Sequence, residues 1–240
     1  MAKIETAVFL AAGLGSRLKG MSNGKPKGFL EIEGISLIER SVNKLLEAGI
    51  KRFYFGTGFA SEVYDEFTRK YDAICIRNNG YASTGSMYTL YNMQDRITSD
   101  FILLEADLLY DKSGLSYLMD DAHADVILAS GKTNSGDEVF MEIDDHSNLI
   151  NMSKDFSVLK SVNGELVGIS KVSLDTYDKM CVIAESLFLE KPKLDYEYVF
   201  VELSKTQPMF VKKVEDYVWC EIDDESHYRR ALDHIYPKIQ

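Results

Sequence analysis

Apolar and polar positions alternate along the chain in runs of two kinds. Residues 6–10 form an unbroken β-rich run that ends at a glycine turn. Leu37, Ile38, Val42, Leu45 and Leu46 then recur at three- and four-residue intervals, the spacing of one helix face, and Gly49 follows as a stop. The same rhythm predicts strands over 52–55, 73–76, 101–104 and 126–129. It predicts helices over 63–71, 85–93 and 115–119, with Ser83 or Thr84 capping the second of these. Strand and helix in alternation mean βαβ units around a mostly parallel sheet. Continuous apolar runs, rather than alternating ones, fit strands covered on both faces.

From about residue 137 the texture changes. Runs at 139–143, 149–152 and 165–169 read as antiparallel strands. Helical stretches follow at 175–189 and 196–205, then strands at 210–214 and 218–222, and a closing helix at 225–235. No Pro/Ser linker, low-complexity tract or repeat interrupts this order. The expectation is an α/β fold with a mixed, mostly parallel central sheet flanked by helices. A small antiparallel insertion or lid is expected at about 130–170, within one domain spanning 1–240.

Composition narrows the partners. The chain has 240 residues, 45% of them hydrophobic, enough for a full core. Lys and Arg total 27 against 38 Asp and Glu, a net charge of −11 that repels a phosphate backbone, so nucleic acid is not expected. Cys75, Cys181 and Cys220 are odd in number and far apart. They give no disulfide framework or zinc spacing and suit a reducing cytoplasm. No apolar run approaches the roughly 18 residues of a membrane helix. The run 7–12 follows Glu5 and precedes Gly13-Leu14-Gly15-Ser16-Arg17, so it reads as a buried strand rather than a signal peptide. A cytoplasmic location without membrane insertion is expected, and a homodimer is left open.

Chemistry concentrates at a few places. Leu10-Ala11-Ala12-Gly13-Leu14-Gly15-Ser16-Arg17-Leu18 follows the first strand and opens towards a helix. Glycines there let backbone approach a phosphate and leave N–H groups as an anion site. The dinucleotide fingerprint fails because Leu18 stands in the third glycine's place. The P-loop fails because Gly20 to Gly24 is one residue short and Pro26 follows Lys25. Arg17, Lys19, Lys25 and Lys27 form a local basic cluster on an acidic chain. Arg17 offers a donor fork to a triphosphate and Lys27 a point charge, whereas Lys19 and Lys25 individually read as solvated loop lysines.

The glycine segment followed by Lys25-Pro26-Lys27 resembles the signature of nucleotidyltransferases that activate phosphate-bearing small molecules with an NTP. Four further phrases are similar to CTP-dependent 2-aminoethylphosphonate cytidylyltransferases, relatives of the phosphocholine cytidylyltransferases. These are Pro26-Lys27-Gly28-Phe29-Leu30-Glu31-Ile32, Tyr81-Ala82-Ser83-Thr84-Gly85-Ser86-Met87, Ser135-Gly136-Asp137-Glu138 and Pro192-Lys193-Leu194-Asp195-Tyr196-Glu197. Sugar-1-phosphate enzymes are usually longer and differ after the Lys-Pro pair. The resemblance covers essentially the whole chain and implies a Rossmann-like nucleotidyltransferase fold. It implies that Leu10, Ala11, Ala12, Gly13, Gly15, Ser16, Glu105 and Ala106 contact the nucleotide. It gives Arg17 and Lys27 to the triphosphate as catalytic groups, and Thr84, Gly85 and Ser86 to cytosine.

The apolar strand 101–104 and the run Trp219-Cys220-Glu221-Ile222-Asp223-Asp224 both lead into carboxylates. Ligands sit at the carboxyl edge of α/β sheets. Two carboxylates from different strands can share one hard Mg²⁺, and the resemblance implies that Asp107 and Asp223 do so. Glu105 and Asp107 share a face, as do Glu221 and Asp223, and only the last of each pair need reach the edge. Asp224 is also suited to cap the final helix.

An aminoalkyl acceptor suits the Ser135–Asp137 segment and the carboxylates Asp195 and Glu197. A quaternary ammonium would instead favour an aromatic cage, which 14 Tyr and 12 Phe do not exclude. Lys154 reads either as a phosphonate ligand or as a surface lysine. The four histidines form no close cluster and read as structural or exposed. Transfer of CMP from CTP to 2-aminoethylphosphonate is the expected reaction. The alternatives are phosphocholine as acceptor, a sugar-1-phosphate, and a nucleotide-binding module without catalysis.

Overall fold

The computed structural model describes residues 3–18 and 20–239, so Lys19 of the basic cluster lies outside the described residues. In chain order, β1 (Thr6–Ala11) is followed by the hairpin β2 (Glu31–Ile32) and β3 (Ile35–Ser36), then α1 (Leu37–Ala48), β4 (Arg52–Thr57) and α2 (Ser61–Thr68). Next come β5 (Ala73–Arg77), α3 (Ser86–Tyr91), β6 (Phe101–Glu105), β7 (Leu108–Tyr110), α4 (Ser113–Met119) and β8 (Val126–Ser130). β9 (Phe140–Ile143), β10 (Leu149–Ser153), β11 (Gly164–Val172), α5 (Leu174–Leu187) and α6 (Tyr196–Ser204) follow. β12 (Phe210–Val214), β13 (Trp219–Glu221) and α7 (Glu225–Arg230) close the series, and a π-helical turn carries α7 on to Ile235.

β1 is buried along its whole length and lies between β4 and β6, parallel to both. Its residues alternate between two cores: Val8 and Leu10 face one apolar cluster, Ala7, Phe9 and Ala11 the other. That alternation with no polar face is what a strand covered by helices on both sides requires. β5 lies beyond β4; beyond β6 lie β11, β8 and β12 in turn. β11 is antiparallel to both β6 and β8, while β12 is parallel to β8. The sheet is therefore mixed and mostly parallel, as expected. The expected 165–169 strand is part of β11, which runs through the main sheet. Within the 130–170 segment, the antiparallel hairpin of β9 and β10 joins the start of β11.

Local signals explain several boundaries. α1 buries Leu37, Ile38, Val42 and Leu45 along one stripe, and Ser36 caps it by accepting from the Glu39 amide at 3.3 Å. Asp224 caps α7 by accepting from the His227 amide at 2.9 Å. The cap expected from Ser83 or Thr84 is absent. Gly85 is the N-cap residue of α3, and the donor of the first turn goes to a carboxylate over a hundred residues away. The expected 218–222 strand is β13, which pairs with β7 in a separate antiparallel ladder. No helix among the described residues is long and apolar enough to cross a membrane.

Candidate active site

The sheet's topology brings the site together. Leu10 and Glu105 are register partners on parallel strands, so the glycine loop after β1 and the acids after β6 leave the sheet at the same edge. The Ala106 amide donates to the Leu10 carbonyl at 3.1 Å and extends that register. The β13–β7 ladder brings in the far end of the chain. Glu221 pairs with Leu108, and the Ile222 amide donates to the Asp107 carbonyl at 3.1 Å. A third apolar cluster, including Leu18, Leu30, Leu109, Ile222 and Ile235, fastens the C-terminal helical segment under the glycine loop.

The cations converge on these acids. Lys27 opens a short turn after Pro26, and its ammonium donates to Asp107 Oδ2 at 3.1 Å and to Asp223 Oδ1. Arg17 lies 3.0 Å from the other Asp223 oxygen and donates to Asp137 Oδ2 at 3.1 Å. Lys154 donates to the remaining Asp137 oxygen at 2.8 Å. Arg17, Lys27, Asp107, Asp137, Lys154 and Asp223 therefore form one network. Lys25 is exposed and takes no part in it. Burial pushes the Asp223 carboxyl up, but Lys27 beside it more than reverses that, and its pKa falls to about 2. Burial alone would lower the Lys27 ammonium, yet Asp107 and Asp223 raise it.

Acids outnumber cations deeper in. Carboxylate oxygens of Glu105, Asp107 and Glu221 lie within 4.8 Å of one another. The first member of each expected pair, Glu105 and Glu221, thus reaches the site as well as Asp107 and Asp223. Burial, with Asp107 adding to it, pushes Glu105 up to about 7 against the opposing Tyr196 hydrogen bond and Lys27. Burial and then Asp107 likewise raise Glu221 well above the usual carboxylate range. Ionised together, the four acids would outweigh Lys27 and Arg17, and in this half-buried group Glu105 and Glu221 answer that excess by holding their protons more tightly. Hard oxygen donors at this spacing suit Mg²⁺.

The segment expected to read the base is built from distant parts. Asn78 donates to Thr84 Oγ1 at 2.9 Å and to Thr89 Oγ1 at 3.0 Å. The Gly85 amide donates to the Pro192 carbonyl at 3.2 Å, and the Met87 amide to the Leu194 carbonyl at 3.1 Å. A Cβ on Gly85 would lie 2.3 Å from the Leu194 carbonyl oxygen, so only glycine permits this approach. Asp195 Oδ1 accepts from both the amide and the hydroxyl of Ser86, at 2.9 and 3.0 Å. Asp195, expected at the acceptor's amine, thus supplies the missing helix cap. Glu197 is buried, and burial followed by Asp195 and Glu105 pushes it up to about 8, with Lys154 drawing it down. The Ser135 carbonyl sits 3.2 Å from His227 Nε2, tying its loop to α7. Leu10 and Ala11 end β1, Ala12, Gly13 and Gly15 lie on the loop at its edge, and Ser16 opens the short helical turn that follows.

Sequence reasoning assigned no role to Tyr196, whose hydroxyl donates to Glu105 Oε1 at 2.7 Å. It named Glu221 only as a neighbour in its strand. The Glu-x-Asp alternation could have raised Glu221; no local signal points from Tyr196 to a residue 91 positions away.

A family model described as the MobA-like NTP transferase domain matches residues 7–165. The choline-phosphate cytidylyltransferase of Streptococcus pneumoniae is 23% identical over 226 residues, covering 93% of this chain and 95% of that protein. The 2-aminoethylphosphonate cytidylyltransferase of Lancefieldella rimae is 28% identical over 105 residues, covering 43% of each. The structure of the inositol-1-phosphate CTP transferase from T. maritima shares the fold, with a TM-score of 0.84 at 17% identity, covering 99% of this chain and 97% of that one.

Proposed function

The chain belongs to the MobA-like NTP transferase family and is a nucleotidyltransferase; from that premise we propose that it transfers CMP from CTP to 2-aminoethylphosphonate. The phosphonate oxygen, already largely ionised near neutral pH, attacks the α-phosphorus of CTP. A new P–O–P link forms, the α–β bridging bond breaks, and its electron pair leaves with pyrophosphate. The nucleophile needs positioning more than a general base, so the work is electrostatic and orientational.

The observation that carries the nucleotidyl-transfer half of this reading is the meeting of Lys27 with Asp107 and Asp223, 80 and 196 positions away, beside the glycine loop; the acceptor rests on the resemblance of the 135–138 and 192–197 segments. Mg²⁺ would be held by Asp107 and Asp223, with Glu105 and Glu221 completing the oxygen set. When bound, it neutralises phosphate charge and orients the reacting groups. Lys27 exchanges carboxylates for α-phosphate oxygens as the nucleotide enters. Arg17 leaves Asp137 and Asp223 for the departing pyrophosphate. Lys154 leaves Asp137 for the phosphonate, which frees Asp137 for the acceptor's ammonium beside Ser135 and Glu197. Thr84, Gly85 and Ser86 border the cytosine, and Asp195 braces that segment.

Phosphocholine is the second acceptor to consider, because the pneumococcal relative matches over nearly the whole chain. Pyrophosphate release with CTP and Mg²⁺ is measured in parallel for the two acceptors. Faster turnover of 2-aminoethylphosphonate supports the proposal. Preference for phosphocholine keeps the nucleotide half and overturns the acceptor. Failure to bind CTP overturns both.

A further inference from the structure

We propose that Tyr196 is a positioning residue that holds Glu105 in the cation-binding acid group and ties that group to the segment bordering the base. The inference rests on the function proposed above and assigns a role to a residue which that reading leaves unused. Tyr196 is buried at the start of α6, 1% exposed, with its ring set edge-on to Phe200 at 5.7 Å. Its hydroxyl donates to Glu105 Oε1 at 2.7 Å, and its amide donates to Ser86 Oγ at 3.0 Å. One residue thus grips the acid group with its side chain and the start of α3 with its backbone. Asp195, the neighbouring residue, closes the second contact by accepting from the Ser86 amide and hydroxyl.

Glu105 is confined from the other side as well. Gly168 lies in β11 with φ +81°, inside the stretch where the β11–β8 ladder shifts register between Leu166 and Ser170. A Cβ there would sit 3.0 Å from the Glu105 carboxyl carbon and 3.1 and 3.3 Å from its oxygens. The irregular strand therefore makes room for a carboxylate, and Tyr196 fixes which way that carboxylate turns. Groups that orient a metal's ligands are worth about 10–100-fold in metal affinity or activity. A carboxylate left free to rotate in a crowded, negatively charged pocket would turn away from Asp107 and Glu221.

Tyr196→Phe removes only the hydroxyl and keeps the ring's packing, so it separates positioning from folding. Mn²⁺ serves as the probe, with its binding to the full chain read by electron paramagnetic resonance in the presence of CTP. The Phe variant is expected to bind Mn²⁺ about tenfold more weakly. CTP binding in EDTA and the melting temperature should remain close to wild type. Glu105→Gln should weaken Mn²⁺ binding at least as much. The double variant should be no weaker than Glu105→Gln alone, because the hydroxyl acts only through that carboxylate. Unchanged Mn²⁺ affinity in Tyr196→Phe, or losses that simply add in the double variant, would overturn the positioning role. Wild-type protein that binds CTP but no Mn²⁺ would instead overturn the metal assignment on which the role rests.

Discussion

The rim of the site and its floor treat charge in opposite ways. At the rim, Arg17 and Lys154 share Asp137, and their side chains are 54% and 53% exposed. On the floor, Asp223 is 2% exposed and faces Lys27, while Glu105, Asp107 and Glu221 crowd together. Exposed ion pairs are screened and weakly held, so Lys154 can leave Asp137 for a phosphate at little cost, whereas Arg17 also faces the buried Asp223 and gives up more. Like charges crowded in a half-buried group cannot relax in that way; they take up protons or require a cation. The rim is therefore suited to exchange partners during turnover, and the floor to bind one charged group and keep it.

Substitutions should grade along that contrast. Asp107→Ala or Asp223→Ala should abolish Mg²⁺-dependent turnover, with circular dichroism confirming an intact fold; a near-normal rate removes that residue from the site. Lys27→Ala lies between floor and rim. It should cost about 2–4 kcal/mol, mainly in kcat, as an oxyanion-type donor does. An effect confined to KM would reduce Lys27 to a ground-state ligand. Lys154→Ala, at the rim, should raise the acceptor KM roughly fivefold, the worth of about 1 kcal/mol for an exposed charge pair. A large kcat loss there would erase the distinction between rim and floor.

A separate effect concerns stability rather than turnover. Glu197 carries a folded-state pKa of about 8 against an ordinary 4.5, so the folded chain binds that proton more tightly than the unfolded chain. The resulting stability is fully present below the ordinary value and is lost as pH rises through the folded one. Glu197→Gln should therefore match wild type near pH 4.5, and its relative melting temperature should climb towards pH 8. A difference that is flat with pH would show that Glu197 does not titrate in this window.

How much was legible follows the same division. The glycine loop, Arg17 and Lys27 lie within one short stretch of chain, and β1 announces itself by an unbroken apolar run. An acid after the apolar strand β6 was expected at the sheet's edge, but it was the family resemblance that singled out Asp107 and Asp223, and Asp223 follows a strand outside the main sheet. What was not readable depended on pairings between distant segments. Asp195 caps α3 from 109 positions away, so neither Ser83 nor Thr84 needs to. β13 leaves the main sheet because its partner is β7, and this ladder brings Glu221 to the floor. No periodicity in either strand encodes that choice of partner. The turn of β11 around Glu105 depends on a positive φ at Gly168, which an isolated glycine in a strand suggests but does not specify.

Attack at the α-phosphorus of CTP can be read straight from phosphorus NMR of the reaction with 2-aminoethylphosphonate and Mg²⁺. Equal amounts of pyrophosphate and a CMP–phosphonate anhydride are expected, with neither formed when EDTA is present. Release of orthophosphate with CDP, or products that form equally well without a divalent cation, would contradict it.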